Sequence, residues 1–334
     1  MPDGATSPEV VPLRHWGRWA GVAATLLGLA MIIHTLLSKI PAANGAQVCH
    51  VVNGHKTCGP VMVWRFGWNV VGQYLFDVNI TDGLWLTLQI TFWAMLIGIV
   101  FGFVVATMRL SRNRVMSSIA WGYTWFFRGT PVYIQLLFWF AIGLVYPQLT
   151  LGLPFLSITF VHLNTASLFS PLNAAILGLG LNEVAYMSEV ARAGMISVDE
   201  GQIEAATSVG MTKAQTMRYV VLPQAMRVVI PPTGNEVISM LKTTSLAATI
   251  GVLELAGAAQ NIYAANLKTV PLLIVASLWY LLATTILSVG QFYVERYFSR
   301  GTVRTQRQTP IQRIRGDLKG IAAKYRTSRP VMTR

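Results

Sequence analysis

Two stretches of this chain, Gly83 to Met108 and Val270 to Val294, carry no charged residue. Each exceeds the roughly 20 residues that an α-helix rising 1.5 Å per residue needs to cross about 30 Å of hydrocarbon. Four further apolar segments interrupt that pattern only lightly: about 19 to 40 with His34, 115 to 146 with Arg128, 171 to 196, and 231 to 255. The expected fold class is therefore all-α, a polytopic membrane bundle of about six spans. Composition agrees, since 53% of the 334 residues are hydrophobic, 12% are charged and the mean hydropathy is +0.51; that is too apolar for a soluble domain of this size.

The formal net charge of +13 invites a nucleic-acid reading, and the placement of the basic residues rejects it. Arg14 and Arg18 precede the first span, Arg109, Arg112 and Arg114 follow the second, and a basic tail follows the last. Basic segments on alternate connections follow the positive-inside rule and put both termini in the cytoplasm; a nucleic-acid binder would gather them on a soluble domain. No cleavage signal of small residues closely follows the first span, so it is expected to stay as an anchor. The tail is expected to be solvated or to lie on anionic lipid.

This topology divides the chain into an N-terminal segment and extra helix (1–41), an outer loop (42–79), a transmembrane core (80–298) and a basic tail (299–334). The outer loop holds both cysteines, Cys49 and Cys58. They form either a disulfide suited to an oxidising compartment or two free thiols. Trp64, Phe66, Trp68, Tyr74 and Phe76 are spaced like an interfacial aromatic belt, and residues 147–170 read as a second outer loop with an interfacial piece. No phosphate-binding G-x-x-x-x-G-K-[ST] loop occurs, so the chain is not an ATP-hydrolysing component. Nor does it contain H-E-x-x-H or G-x-S-x-G, and its five histidines are scattered, which disfavours an intramembrane enzyme.

The most informative stretch is the cytoplasmic connection at about 198–223. Asp199-Glu200-Gly201 opens a short helix through Glu204-Ala205-Ala206, and Gly210 is placed to close it with positive φ. A second helix is expected to end at Leu222-Pro223. The small face of Ala205 and Ala206 suits close approach by a partner protein, and Glu204 offers one directional polar contact.

These residues resemble the E-A-A-x-x-x-G signature of the membrane subunits of bacterial ABC importers. Within them the chain resembles the polar amino-acid permeases: Gly83 with Thr87-Leu88, Phe127-Arg128-Gly129-Thr130-Pro131, Glu189 and Arg192, Gly201-Gln202, Leu222-Pro223-Gln224, Pro232, Asn235, and Lys242 with Thr244-Ser245. The likeness covers about residues 80 to 298. It implies a type I importer subunit of five core helices in a bacterial cytoplasmic membrane. The implied partners are an ABC ATPase dimer, a second copy or relative of the permease, an extracytoplasmic solute-binding protein and membrane lipid, with no nucleic acid. It implies no cofactor in this chain, ATP being bound by the ATPase. Gly201, Gln202, Glu204, Ala205, Ala206 and Gly210 would then couple ATPase closure to transport.

Ionisable residues within spans are costly and face a bundle interior or a water-filled path. Glu189 and Arg192, three apart, can pair along one helical face in a structural role, and Arg128 can snorkel to the interface. Glu183 beside Asn182 on one span, and Lys242 beside Thr244 and Ser245 on another, are the candidate substrate path. Either Glu183 and Lys242 pair with each other, or they meet the ammonium and carboxylate of a zwitterion. The extra carboxylate tilts the expected solute toward a cationic amino acid, with another small polar solute as the alternative.

Overall fold

A computed structural model describes residues 16–41, 47–52, 55–146, 148–152 and 159–298. The basic tail and Arg14 lie outside the described residues. The N-terminal helix α1 (Trp16–Leu36) is followed by strands β1 (Lys39–Pro41), β2 (Gln47–Val52), β3 (His55–Pro60) and β4 (Met62–Trp64), then by α2 (Trp68–Tyr74). The bundle continues with α3 (Val78–Arg109), α4 (Arg114–Gly129), α5 (Val132–Val145), strands β5 (Gln148–Gly152) and β6 (Thr159–Asn164), α6 (Thr165–Leu168) and α7 (Pro171–Ile196). Next come α8 (Glu200–Ser208), α9 (Lys213–Thr216), a π-helical turn at Met217–Val221, α10 (Leu222–Thr243), a 3-10 segment at Thr244–Ile250, α11 (Leu255–Asn266) and α12 (Thr269–Phe298).

The described residues fall in two compact units, one within Met1–Thr81 and Ala259–Ser277, the other within Asp82–Ala258 and Leu278–Arg334. In the first unit, β1 pairs with β4 and β2 with β3, all antiparallel. The register sets Cys49 opposite Cys58, and Cys49 is disulfide-bonded. Two ladders and the short helix α2 thus occupy most of the outer loop expected at 42–79, and the Trp68 indole donates to the Leu36 carbonyl at 2.8 Å. In the second unit, β5–β6 makes a third ladder inside the other expected loop.

By length and hydropathy α3 and α12 qualify as spans individually, and two pairs of helices joined across short breaks qualify together; α1 and α7 occupy the remaining expected segments. The segment expected at 115–146 is two helices, α4 and α5, meeting at 104°. Thr130 and Pro131 form the corner with extended backbone, and Pro131 stands immediately before α5. A proline there loses no helical hydrogen bond.

The core of the second unit is built on α7. Ile90, Leu136, Leu179, Met187, Met240 and Ile250 form one buried cluster. Lipid tails are as apolar as leucine, so close backbone approach does much of the packing in a membrane. Gly98 and Gly102, four apart on α3, provide it: a Cβ would lie 2.4 Å from Glu183 Cγ at Gly98 and 2.7 Å from Met187 Cβ at Gly102.

Candidate functional site

Three elements of the second unit enclose a cavity of about 420 Å³. The α4–α5 corner contributes Arg128 to Val132, α7 contributes Leu179, Asn182, Glu183 and Tyr186, and α10 contributes Glu236, Ser239, Met240 and Thr243. The corner's carbonyls are held by side-chain amides. Gln135 Nε2 lies 3.0 Å from Phe127 O and 3.1 Å from Thr130 O, while Asn182 Nδ2 donates to Phe127 O at 3.0 Å and to Gln135 Oε1 at 3.2 Å. Next to Asn182, the Glu183 side chain is 4% exposed, and its Oε1 has no hydrogen-bond partner among the described residues. Glu183 lines the cavity, and this unpartnered oxygen, itself buried, is an unfilled acceptor beside it.

Of the expected path residues, Asn182 and Glu183 line this cavity and Lys242, Thr244 and Ser245 do not. Lys242 is exposed and makes no ion pair with Glu183 among the described residues. The Thr244 and Ser245 hydroxyls donate to the carbonyls of Leu241 and Lys242, at 2.7 Å each. The basic group in the cavity is Arg128, and the second carboxylate is the half-buried Glu236. Glu236 was legible by the same rule that singled out Lys242, as a charge inside the segment 231–255.

The segment at 198–223 folds as its caps dictate. Asp199 accepts from Gly201 N at 2.8 Å to open α8. Gly210 follows with φ of +83°, a conformation that a side chain with Cβ adopts only at a cost. Thr212 and Gln215 then form a reciprocal capping box on α9. Two expectations change here. Ala206 is buried, and Ile203 packs on the cluster of Ala106, Ala191, Met195 and Val198, so only Ala205 of the small pair faces outward, along with Gly201, Gln202 and Glu204. The second helix also does not stop at Pro223. The π turn leads into α10 with Pro223 in its first turn, where the missing N–H costs little, and α10 continues through Pro231 and Pro232.

Residues 98–300 match the family of binding-protein-dependent transport system inner membrane components. The chain belongs to this family. Among its relatives, the arginine transport system permease protein ArgU of Corynebacterium glutamicum is 43% identical over 89% of this chain and 85% of that protein. The histidine/lysine/arginine/ornithine transport system permease protein HisM of Escherichia coli is 35% identical over 65% of this chain and 90% of its own length. A crystallised amino acid ABC transporter with histidines aligns with a TM-score of 0.57 at 32% identity, covering 71% of this chain and all of that one. The chain is thus a polar amino-acid ABC importer permease and an integral membrane protein of the type I importer fold.

Two further clusters of this permease bear on its workings. Around Glu189, Arg109 and Arg192 pair at 2.9 and 2.8 Å and Arg128 stands at 3.9 Å, with its guanidinium 5.3 Å over the Tyr186 ring. The pairing of Glu189 with Arg192 follows from their spacing; Arg109 joins from α3. Glu254, just before α11, is fully buried. It accepts from Tyr280 Oη at 2.7 Å, Thr87 Oγ1 at 3.2 Å and Gly257 N at 2.9 Å, while Leu255 N donates to Thr87 Oγ1 at 3.1 Å. The Gly83 and Thr87 of the sequence motif thereby gain a physical role. Thr87 ties α3 to the start of α11, and Gly83 leaves room for it, since a Cβ there would lie 3.1 Å from the Leu255 Cα.

Proposed function

We propose that this permease carries a cationic amino acid through the cavity between the α4–α5 corner, α7 and α10. In this reading Glu183 and Glu236 face the solute's positive groups and Arg128 takes its carboxylate. The observation that carries the reading is a cavity with two carboxylates and one guanidinium in which a Glu183 oxygen lacks a partner. A ligand with two cationic groups and one anionic group complements that set, and burial makes each unpaired charge costly. The names of the relatives ArgU and HisM agree with it. Lys242, assigned to the solute carboxylate from sequence, yields that role to Arg128.

The exposed edge of α8, formed by Gly201, Gln202, Glu204 and Ala205, docks an ABC ATPase, with Gly210 fixing the turn behind it. The ATPase binds and hydrolyses the ATP, and this chain performs no catalytic step. An extracytoplasmic solute-binding protein delivers the amino acid to a permease pair whose termini are cytoplasmic. The disulfide of Cys49 braces the outer β2–β3 ladder against Cys58. Residues 80–298 act as the transport core and 1–79 as an accessory anchor and outer loop.

Uptake of labelled arginine, glutamine and glutamate by the reconstituted complex tests the solute assignment. Glu183→Gln should reduce arginine uptake relative to glutamine by about tenfold, as expected for about 1.4 kcal/mol lost from one charged contact, while assembly is unchanged. Unchanged ratios would remove Glu183 from the path. Glu204→Ala should weaken ATPase co-purification by the about 1.5 to 3 kcal/mol of a charge-assisted bond, and retained co-purification and stimulated hydrolysis would displace the docking assignment.

A further inference from the structure

The last residue of α3, the first turns of α4 and the end of α7 enclose a second cavity of about 330 Å³, lined by Arg109, Leu110, Ser117, Ser118, Trp121 and Arg192. No acidic side chain is among that lining. Glu189 spends one oxygen on each of Arg109 and Arg192, so a single carboxylate faces the two guanidinium groups of this lining. One positive charge is left uncompensated there. The arginines are also pre-positioned: Arg109 is fixed by Glu189 and by Thr124 Oγ1 at 2.7 Å, and its side chain is only 18% exposed. An anion entering here meets guanidinium donors already held in place, which lowers the ordering cost of binding.

The outer wall says which anion. Ser118, Trp121 and Trp125 recur at i, i+3 and i+7 on α4, with the two indoles stacked at 6.3 Å. On the neighbouring stripe Val115, Ile119 and Phe126 are all more than half exposed. A cavity with basic and hydroxyl donors therefore opens beside a continuous apolar and tryptophan face. It lies where a spanning helix ends, the depth at which tryptophans and lipid headgroups concentrate. A soluble phosphate would need the donors and not the stripe. A phospholipid needs both, and basic pockets between spanning helices are a recurring form of headgroup recognition.

We infer that this cavity binds the phosphate headgroup of an anionic phospholipid, whose acyl chains lie along Val115, Ile119 and Phe126. The assembled permease–ATPase complex, purified in mild detergent and re-equilibrated with phosphatidylglycerol or phosphatidylcholine, would be assayed for retained lipid by native mass spectrometry. Ser118 is exposed, so Ser118→Asp adds a negative charge to the lining without touching the Glu189 ion pairs. It should lower retained phosphatidylglycerol about fivefold, the scale of one charge at an anionic headgroup, while Ser118→Asn retains it. Arg192→Gln, which leaves Arg109 on Glu189, should show the same loss. Equal retention by wild type, Ser118→Asp and Arg192→Gln would overturn the assignment, as would equal retention of phosphatidylcholine. Displacement of the lipid by inorganic phosphate would reassign the cavity to a free anion. A disulfide between two permease copies carrying Ser118→Cys would show that a second copy covers this face instead.

Discussion

Glu183 and Glu254 are both carboxylates buried in the second unit, 4% and 0% exposed, yet their surroundings treat them oppositely. Glu254 receives two hydroxyl donors and a main-chain N–H, and it fastens α3, α11 and α12 at one point. Glu183 borders a cavity and leaves one oxygen without a partner among the described residues. A fully satisfied buried carboxylate specifies a structure. One left unsatisfied at a cavity wall holds its acceptor for something that comes and goes. The same residue type, at similar burial, thus reads as architecture in one place and as a binding group in the other.

The sharpest test of this contrast is Glu254→Ala. It orphans the Tyr280 hydroxyl and the Gly257 N–H, each costing about 1 to 3 kcal/mol, while Thr87 keeps its bond to the Gly83 carbonyl, so the mutant complex should lose at least about 2 kcal/mol of stability in thermal unfolding. Glu183→Gln should lose less stability than Glu254→Ala, because the Glu183 Oε1 has no bond to give up. Equal melting of Glu254→Ala and wild type would break the distinction. A smaller effect is expected from Gly98→Ala, whose methyl would lie 2.4 Å from Glu183 Cγ. It should cost about 1 to 3 kcal/mol by overpacking and also depress uptake, because relief requires Glu183 to move; lowered stability with normal uptake would detach Glu183 from transport. Smallest is Tyr280→Phe, which removes one of the bonds to Glu254. A loss of about 0.5 to 1.5 kcal/mol, with arginine uptake per folded complex retained, would place that cluster on the architectural side.

Much of this is legible in the sequence. Uncharged runs gave the spans because bilayer thickness is a length rule. Asp199 and Gly210 mark the two ends of α8 because caps act locally. Three features escaped for identifiable reasons. The ladders at 39–64 and 148–164 are short, of three to six residues a strand, too few for alternation to stand out in an apolar chain. Pro223 looked like a terminator because proline ends helices in general, but a preceding π turn shifts it to a position where it is harmless. The hydroxyl partners of Glu254 lie 26 and 167 residues away in sequence, and Arg109 lies 80 residues from Glu189. One-dimensional spacing sees an i, i+3 pair such as Glu189 and Arg192 and is blind to the rest.

The corner between α4 and α5 carries a final consequence. The Phe127 carbonyl there is taken by the side-chain amides of Gln135 and Asn182 rather than by the next turn of a helix. A side-chain amide can change partner by a torsion of its own, with no helix unwound. Asn182 also stands on the cavity wall, so a solute that draws its amide away removes one of the two ties on that carbonyl. On the proposed reading, loading of the cavity would therefore be felt at the elbow through Asn182 itself, with no separate sensor.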